Sequence, residues 1–237
     1  MFNHRIKTLT RSAVVSALIG LAALGYVEAA NAAAPAAAAS STVSVSTMIG
    51  DPAESVRYWQ RQHFSDCAEM AVASIVGDLT GYLPSEREIL GIAQTTPSTV
   101  RQGPIFDPDV RRKDDPSPAG PAAGGTQPAD IPVLFAAYNI DSVVSQTPNP
   151  EAAIEGVMRA LASGHRVVAI LDSDTIWNIS GDRTRPDHAV SVIGIDTATA
   201  TVYLNDSGID EGRGAAIPVD VFAAAWATSD HLMVVAA

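Results

Sequence analysis

Residues 68–76 constrain this chain most: apart from Glu69 and Ser74, every side chain in the run is apolar. Such a run reads as a helix with no polar face. A helix of that kind is stable only where other elements cover it on every side. The chain must therefore supply a surrounding layer. Asp66 is a good N-cap, and Glu69, three residues on, is positioned to close a capping box. The helix is expected to stop at Gly77 or Gly81. A second helix is expected from Ser85, with Glu88 as box partner and Ile89, Leu90 and Ile92 inward. Helical patterns also cover 128–138 and 151–162. In the latter, Ile154, Val157, Met158 and Leu161 recur at helical spacing and Gly164 lies just beyond the end.

The period then changes. Residues 166–171, 188–195, 201–204 and 232–236 read as strands, with a short turn at 196–200 and a short helix at 219–226. Helices first and antiparallel strands after them define an α+β domain, expected over 51–237.

The segments before that domain have their own signatures. Arg5, Lys7 and Arg11 precede an apolar run at 13–27 and the small-residue pattern Ala30-Asn31-Ala32. This is the layout of a signal peptide spanning 1–32, and it predicts a secreted or cell-envelope protein with no membrane segment after cleavage. Residues 33–50, rich in Ala, Ser and Thr, read as a tether. Residues 96–126 hold six prolines among charges and glycines and read as a long surface loop.

Charge and cysteine content remove several functions. Asp and Glu number 26 against 15 Lys and Arg, a net charge of −11, which disfavours a nucleic-acid partner. A single cysteine forbids an intramolecular disulfide and any zinc site built on several thiolates. There is no His-x-x-x-His, and the Asp-rich stretch 107–115 lacks calcium-loop spacing, so neither metal nor cofactor is expected.

That lone cysteine, Cys67, falls in the first turn of the buried helix, where the helix dipole and free N–H groups favour a thiolate. A small core residue at a helix start is the alternative. A nucleophilic thiol needs a base, for which His63, His165, His188 and His231 are candidates. His188, opening a strand after a loop with Pro186 and Asp187, is the best placed to face a cleft. Asp206, at the end of the next strand, is positioned to orient it, with Asn205 as rival; adjacent strand residues point to opposite faces, so only one should reach. Gln62, or else Gln60, is near enough to Cys67 to help hold an oxyanion.

Taken together, Gln62-x4-Cys67, the run His188-Ala-Val-x-Val-x-Gly-x-Asp196, and Val-Tyr-Leu-Asn-Asp206 resemble the C39-like cysteine peptidases of the papain-like superfamily. The tail from Ile217-Pro-Val-Asp to Trp226 resembles them too. The resemblance covers most of 55–237 and is weakest across the Pro-rich loop. It implies a papain-like α+β fold in which the N-terminal helices, including the buried helix carrying the cysteine, pack on a C-terminal antiparallel sheet. It also implies Cys67 as nucleophile, His188 as general base and acid, Asp206 as orienter and Gln62 as oxyanion donor. The implied partner is a peptide or protein substrate, with cell-wall peptide as a narrower choice.

Two features depart from that family. Ala68-Glu69 stands where Gly-Pro often follows the cysteine, and Glu69 is expected to point back along the helix as a cap. Transporter-fused members carry a membrane domain and a phosphate-binding loop that this sequence lacks, so their double-glycine leader substrates do not carry over. Three rival functions share the residue types: an NlpC/P60-like cell-wall amidase, a transglutaminase-like acyltransferase, and an inactive binding or effector domain of the same fold.

Overall fold

The computed structural model describes residues 47–107 and 125–237. The signal-peptide reading of 1–32 and the tether up to residue 46 lie outside the described residues, as does 108–124 of the Pro-rich loop.

In chain order the elements are β1 (Met48–Gly50), α1 (Pro52–Ser55), α2 (Cys67–Thr80), α3 (Glu86–Thr95), α4 (Ile131–Ala136), β2 (Ser142–Ser145), α5 (Pro150–Ala162), β3 (Arg166–Leu171), α6 (Ser173–Ile176), β4 (His188–Asp196), β5 (Thr201–Asn205), β6 (Arg213–Pro218), α7 (Val219–Ala227) and β7 (Met233–Ala236). The strands form one antiparallel sheet in the order β2-β7-β3-β4-β5-β6, with β1 also on β4. This is the expected α+β architecture, with the N-terminal helices packed on the sheet.

Both faces of the sheet are covered. Val168, Ile170, Ala189 and Val234 pack with the helix residues Val72, Ile75, Ile89 and Leu134. Val167, Ala169, Leu171 and Val192 face the other way and pack with Val157 of α5 and Phe222 and Trp226 of α7. Burial on two sides is why β3 reads as an unbroken apolar run instead of an alternating one. Helix α2 is enclosed as its sequence requires, buried from Ala68 through Gly77. It ends at Gly81, in the left-handed conformation (φ 77°), whose N–H caps the Gly77 carbonyl.

Three expectations need correction. The capping box at Asp66 does not form: the Asp66 side chain caps nothing, and the buried Glu69 accepts a hydrogen bond from Thr126 instead of turning back along the helix. Met48–Gly50, assigned above to the tether, is a strand in register with Gly194–Asp196. The N-terminal part of the Pro-rich loop is not a surface excursion. Ile105 and Phe106 enter the core, Pro97 bridges Pro104, and Asp130 accepts hydrogen bonds from Ser98 and Thr99.

Candidate active site

The site lies where the N-terminus of α2 meets the start of β4 and the end of β5. Helix α2 is held to the sheet by Ser191 of β4, whose hydroxyl donates to the Ala71 carbonyl (3.0 Å). Cys67, the first residue of α2, is a free thiol and half-buried. It receives the positive end of a 14-residue helix, where the leading N–H groups have no intrahelical partner.

His188 opens β4 opposite Leu171 of β3. Its Nε2 and Asp206 Oδ1 are 2.7 Å apart, with side-chain exposures of 4% and 2%. The contact is thus screened from water and much stronger than a surface pair. Nε2 being taken, the ring nitrogen left for the thiol is Nδ1. Burial opposes a charged imidazole, yet the Asp206 carboxylate and its hydrogen bond, aided by Cys67, override it and push the His188 pKa up to about 10. Burial likewise opposes a charged Asp206, but His188 and the hydrogen bonds from Trp177 and Gly208 hold its carboxyl below the usual range.

Asp206 is satisfied on every side. Trp177 donates its indole N–H to Oδ2 (2.7 Å), and the Gly208 N–H donates to Oδ1 (2.7 Å). Trp59 donates to the Asp206 carbonyl (2.6 Å). Trp177 also stands edge-on to the imidazole, ring centres 5.0 Å apart. Gly208 fits beneath them because it has no side chain: a Cβ there would lie 2.5 Å from Trp177 and 2.9 Å from His188. Asn205 turns the opposite way, donating to the Ser55 carbonyl (2.8 Å) and the Ser74 hydroxyl (3.1 Å) of the α1–α2 side. Of the two candidates left open by the sequence, Asp206 is the one that meets His188.

Gln62 lies beside the same loop. Its backbone N–H donates to the Ser207 carbonyl (3.1 Å), its Oε1 accepts from the Ser207 hydroxyl (2.7 Å), and its Nε2 donates to the Phe64 carbonyl (2.9 Å). Gln60 donates to the Pro84 carbonyl, away from this loop. Of the other candidate bases, His63 pairs with Glu86 (2.7 Å), and His231 is buried against Trp226.

A group of carboxyls flanks the cysteine. Asp66 is fully buried beside the Glu86 carboxyl, and neither of its oxygens finds a hydrogen-bond donor among the described residues. Burial, reinforced by Glu86 and Glu69, pushes its pKa up to about 7. Burial also raises Glu69 to about 7, against the hydrogen bond from Thr126. Trp177, Trp59, Ser207 and Gly208 also belong to the site, although no motif in the sequence marks them for it. Trp177 and Trp59 are two of three tryptophans in the chain, and that scarcity is the one sequence signal that could have drawn attention to them.

A cysteine at the head of an enclosed helix, beside a buried His–Asp pair on an antiparallel sheet, defines a cysteine-peptidase-like α+β fold. The chain belongs to the Peptidase_C39 like family, whose model matches residues 56–234. It is 37% identical to an uncharacterised protein of Mycobacterium bovis and to one of Mycobacterium tuberculosis, each match covering 99% of both chains. A crystal structure of a candidate C39-like peptidase from Bacillus anthracis shares the fold, with a TM-score of 0.53 at 14% identity. That match covers 76% of this chain and 93% of the other.

Proposed function

We propose that this chain is a thiol peptidase that cleaves a peptide or amide bond through a thioester on Cys67. The observation that carries this reading is the buried His188–Asp206 contact of 2.7 Å with Cys67 as the imidazole's further partner. His188 Nδ1 takes the thiol proton, and the sulfur attacks the carbonyl carbon of the substrate. The oxygen charge that develops is met by the Cys67 backbone N–H and the Gln62 side chain. The C–N bond breaks as His188 returns the proton to the leaving amine. Water, deprotonated by the same imidazole, then attacks the thioester; the C–S bond breaks and the carboxylic acid product leaves. Asp206 keeps the imidazole in one tautomer and orientation throughout. Removal of 1–32 and action on peptide or protein outside the cell belong to the same proposal.

The test is hydrolysis of a denatured casein digest by wild type and Cys67→Ala, with the acyl-enzyme sought by mass spectrometry after acid quench. Loss of cleavage in the variant and an adduct on the Cys67 peptide are expected. Full cleavage by Cys67→Ala would overturn the assignment.

A further inference from the structure

We infer that Ser207 is a positioning residue for the oxyanion arm of the site, anchoring Gln62 just as its neighbour Asp206 anchors His188. This rests on Gln62 being the oxyanion donor of the proposed reaction.

A glutamine amide can present either end to its surroundings. Here the Phe64 carbonyl, which can only accept, fixes the nitrogen end: Gln62 Nε2 donates to it at 2.9 Å. Oε1 then faces Ser207, whose hydroxyl donates at 2.7 Å. One Nε2 proton is used on Phe64, and the second is the one left for a substrate oxygen. Ser207 also accepts the Gln62 backbone N–H (3.1 Å) and an Arg61 guanidinium N–H (2.5 Å) at its carbonyl, and Arg61 is tied on to Asp210 (2.9 Å). Ser207 itself is 5% exposed, so water does not readily replace its hydroxyl. Consecutive residues of one loop thus hold the two arms: Asp206 the imidazole, Ser207 the amide. The backbone bonds to the Ser207 carbonyl survive any side-chain change there, so the hydroxyl's effect can be isolated.

The experiment compares two reagents on the full chain. Acetyl-Phe-glycinal forms a hemithioacetal: sulfur bonds to the aldehyde carbon, the carbonyl π bond opens, and the imidazolium proton passes to the new oxygen, which occupies the oxyanion position. Iodoacetamide alkylates the sulfur with loss of iodide and creates no oxyanion. In Ser207→Ala the aldehyde should bind roughly threefold to tenfold more weakly, the range expected for one lost hydrogen bond, while the alkylation rate is unchanged. Ser207→Thr, which keeps a hydroxyl, should restore most of the affinity. In a Gln62→Ala background, Ser207→Ala should have no further effect.

Two failures are distinguishable. If Gln62→Ala weakens the aldehyde but Ser207→Ala does not, or if Ser207→Ala acts equally without Gln62, the inference fails and the Gln62 role stands. If Gln62→Ala leaves aldehyde affinity intact, the oxyanion role of Gln62 and this inference fall together.

Discussion

Asp206 and Asn205, adjacent in sequence, face opposite sides of the sheet and bind different halves of the molecule: Asp206 Oδ1 meets His188, whereas Asn205 Nδ2 meets Ser55 and Ser74. Their replacement should therefore separate activity from stability. Asp206→Ala should lower kcat by about a hundredfold or more, since the imidazole loses its orienter. Asn205→Ala should leave kcat of the folded protein unchanged and cost about 1–3 kcal/mol in urea unfolding, because buried partners are orphaned.

The His188 proton should be unusually persistent. Its pKa is raised from the model-peptide value of 6.5 to about 10, so the stability gained from the raised value is complete below about 6.5 and is lost as pH rises through about 10. Asp206 is shifted down from 3.8, so its contribution is present above that value and is lost as pH falls through the lower folded one. Titration of the His188 imidazole by NMR should give a midpoint near 10 in the wild type and a clearly lower one in Asp206→Asn.

Trp177→Phe keeps an aromatic ring against His188 but deletes the N–H that Asp206 Oδ2 accepts at 2.7 Å. A hydrogen bond to a charged group contributes about 1.5–3 kcal/mol. The variant should lose stability of that order, and its His188 should bind the proton more tightly, because Asp206 retains more charge density for it. Denaturant unfolding and the same NMR titration read both effects.

The carboxyls around Cys67 are shifted in the opposite sense to Asp206. Asp66 and Glu69, raised from 3.8 and 4.5 to about 7, bind more protons folded than unfolded across that interval. Stability contributed by them therefore falls as pH rises towards 7 and levels off above it. Glu69→Gln, which keeps an oxygen for Thr126, should match the wild type at about pH 4.5 and melt at a higher temperature than it at about pH 8. Equal melting temperatures at both values would show that Glu69 is not held protonated.

Much of the fold is written in local pattern. The glycine stop of α2, the apolar strands β3 and β4, and the spacing in α5 follow from side-chain chemistry alone. Strands β1, β2 and β6 do not: Met-Ile-Gly, Ser-Val-Val-Ser and Arg-Gly-Ala-Ala-Ile-Pro are short, and their pairing is imposed by neighbouring strands. The capping box fails for a tertiary reason, since Thr126 draws Glu69 inward from 57 residues away. In the site, Cys67, His188 and Asp206 are recognisable because each sits at the end of a predicted element. Alternation along β5 predicts that only one of Asn205 and Asp206 reaches the imidazole, but not which. Trp177 and Ser207 enter through the packing of loops, which carries no periodic signal.

The most direct test of the account is the rate at which Cys67 is carboxamidomethylated by iodoacetamide, followed by mass spectrometry in wild type and His188→Ala at about pH 6, below the intrinsic range of a free thiol. The account predicts rapid modification of the wild type and at least a tenfold slower reaction once the imidazole is gone. Equal rates in the two proteins would mean that the thiol does not depend on His188, and would contradict it.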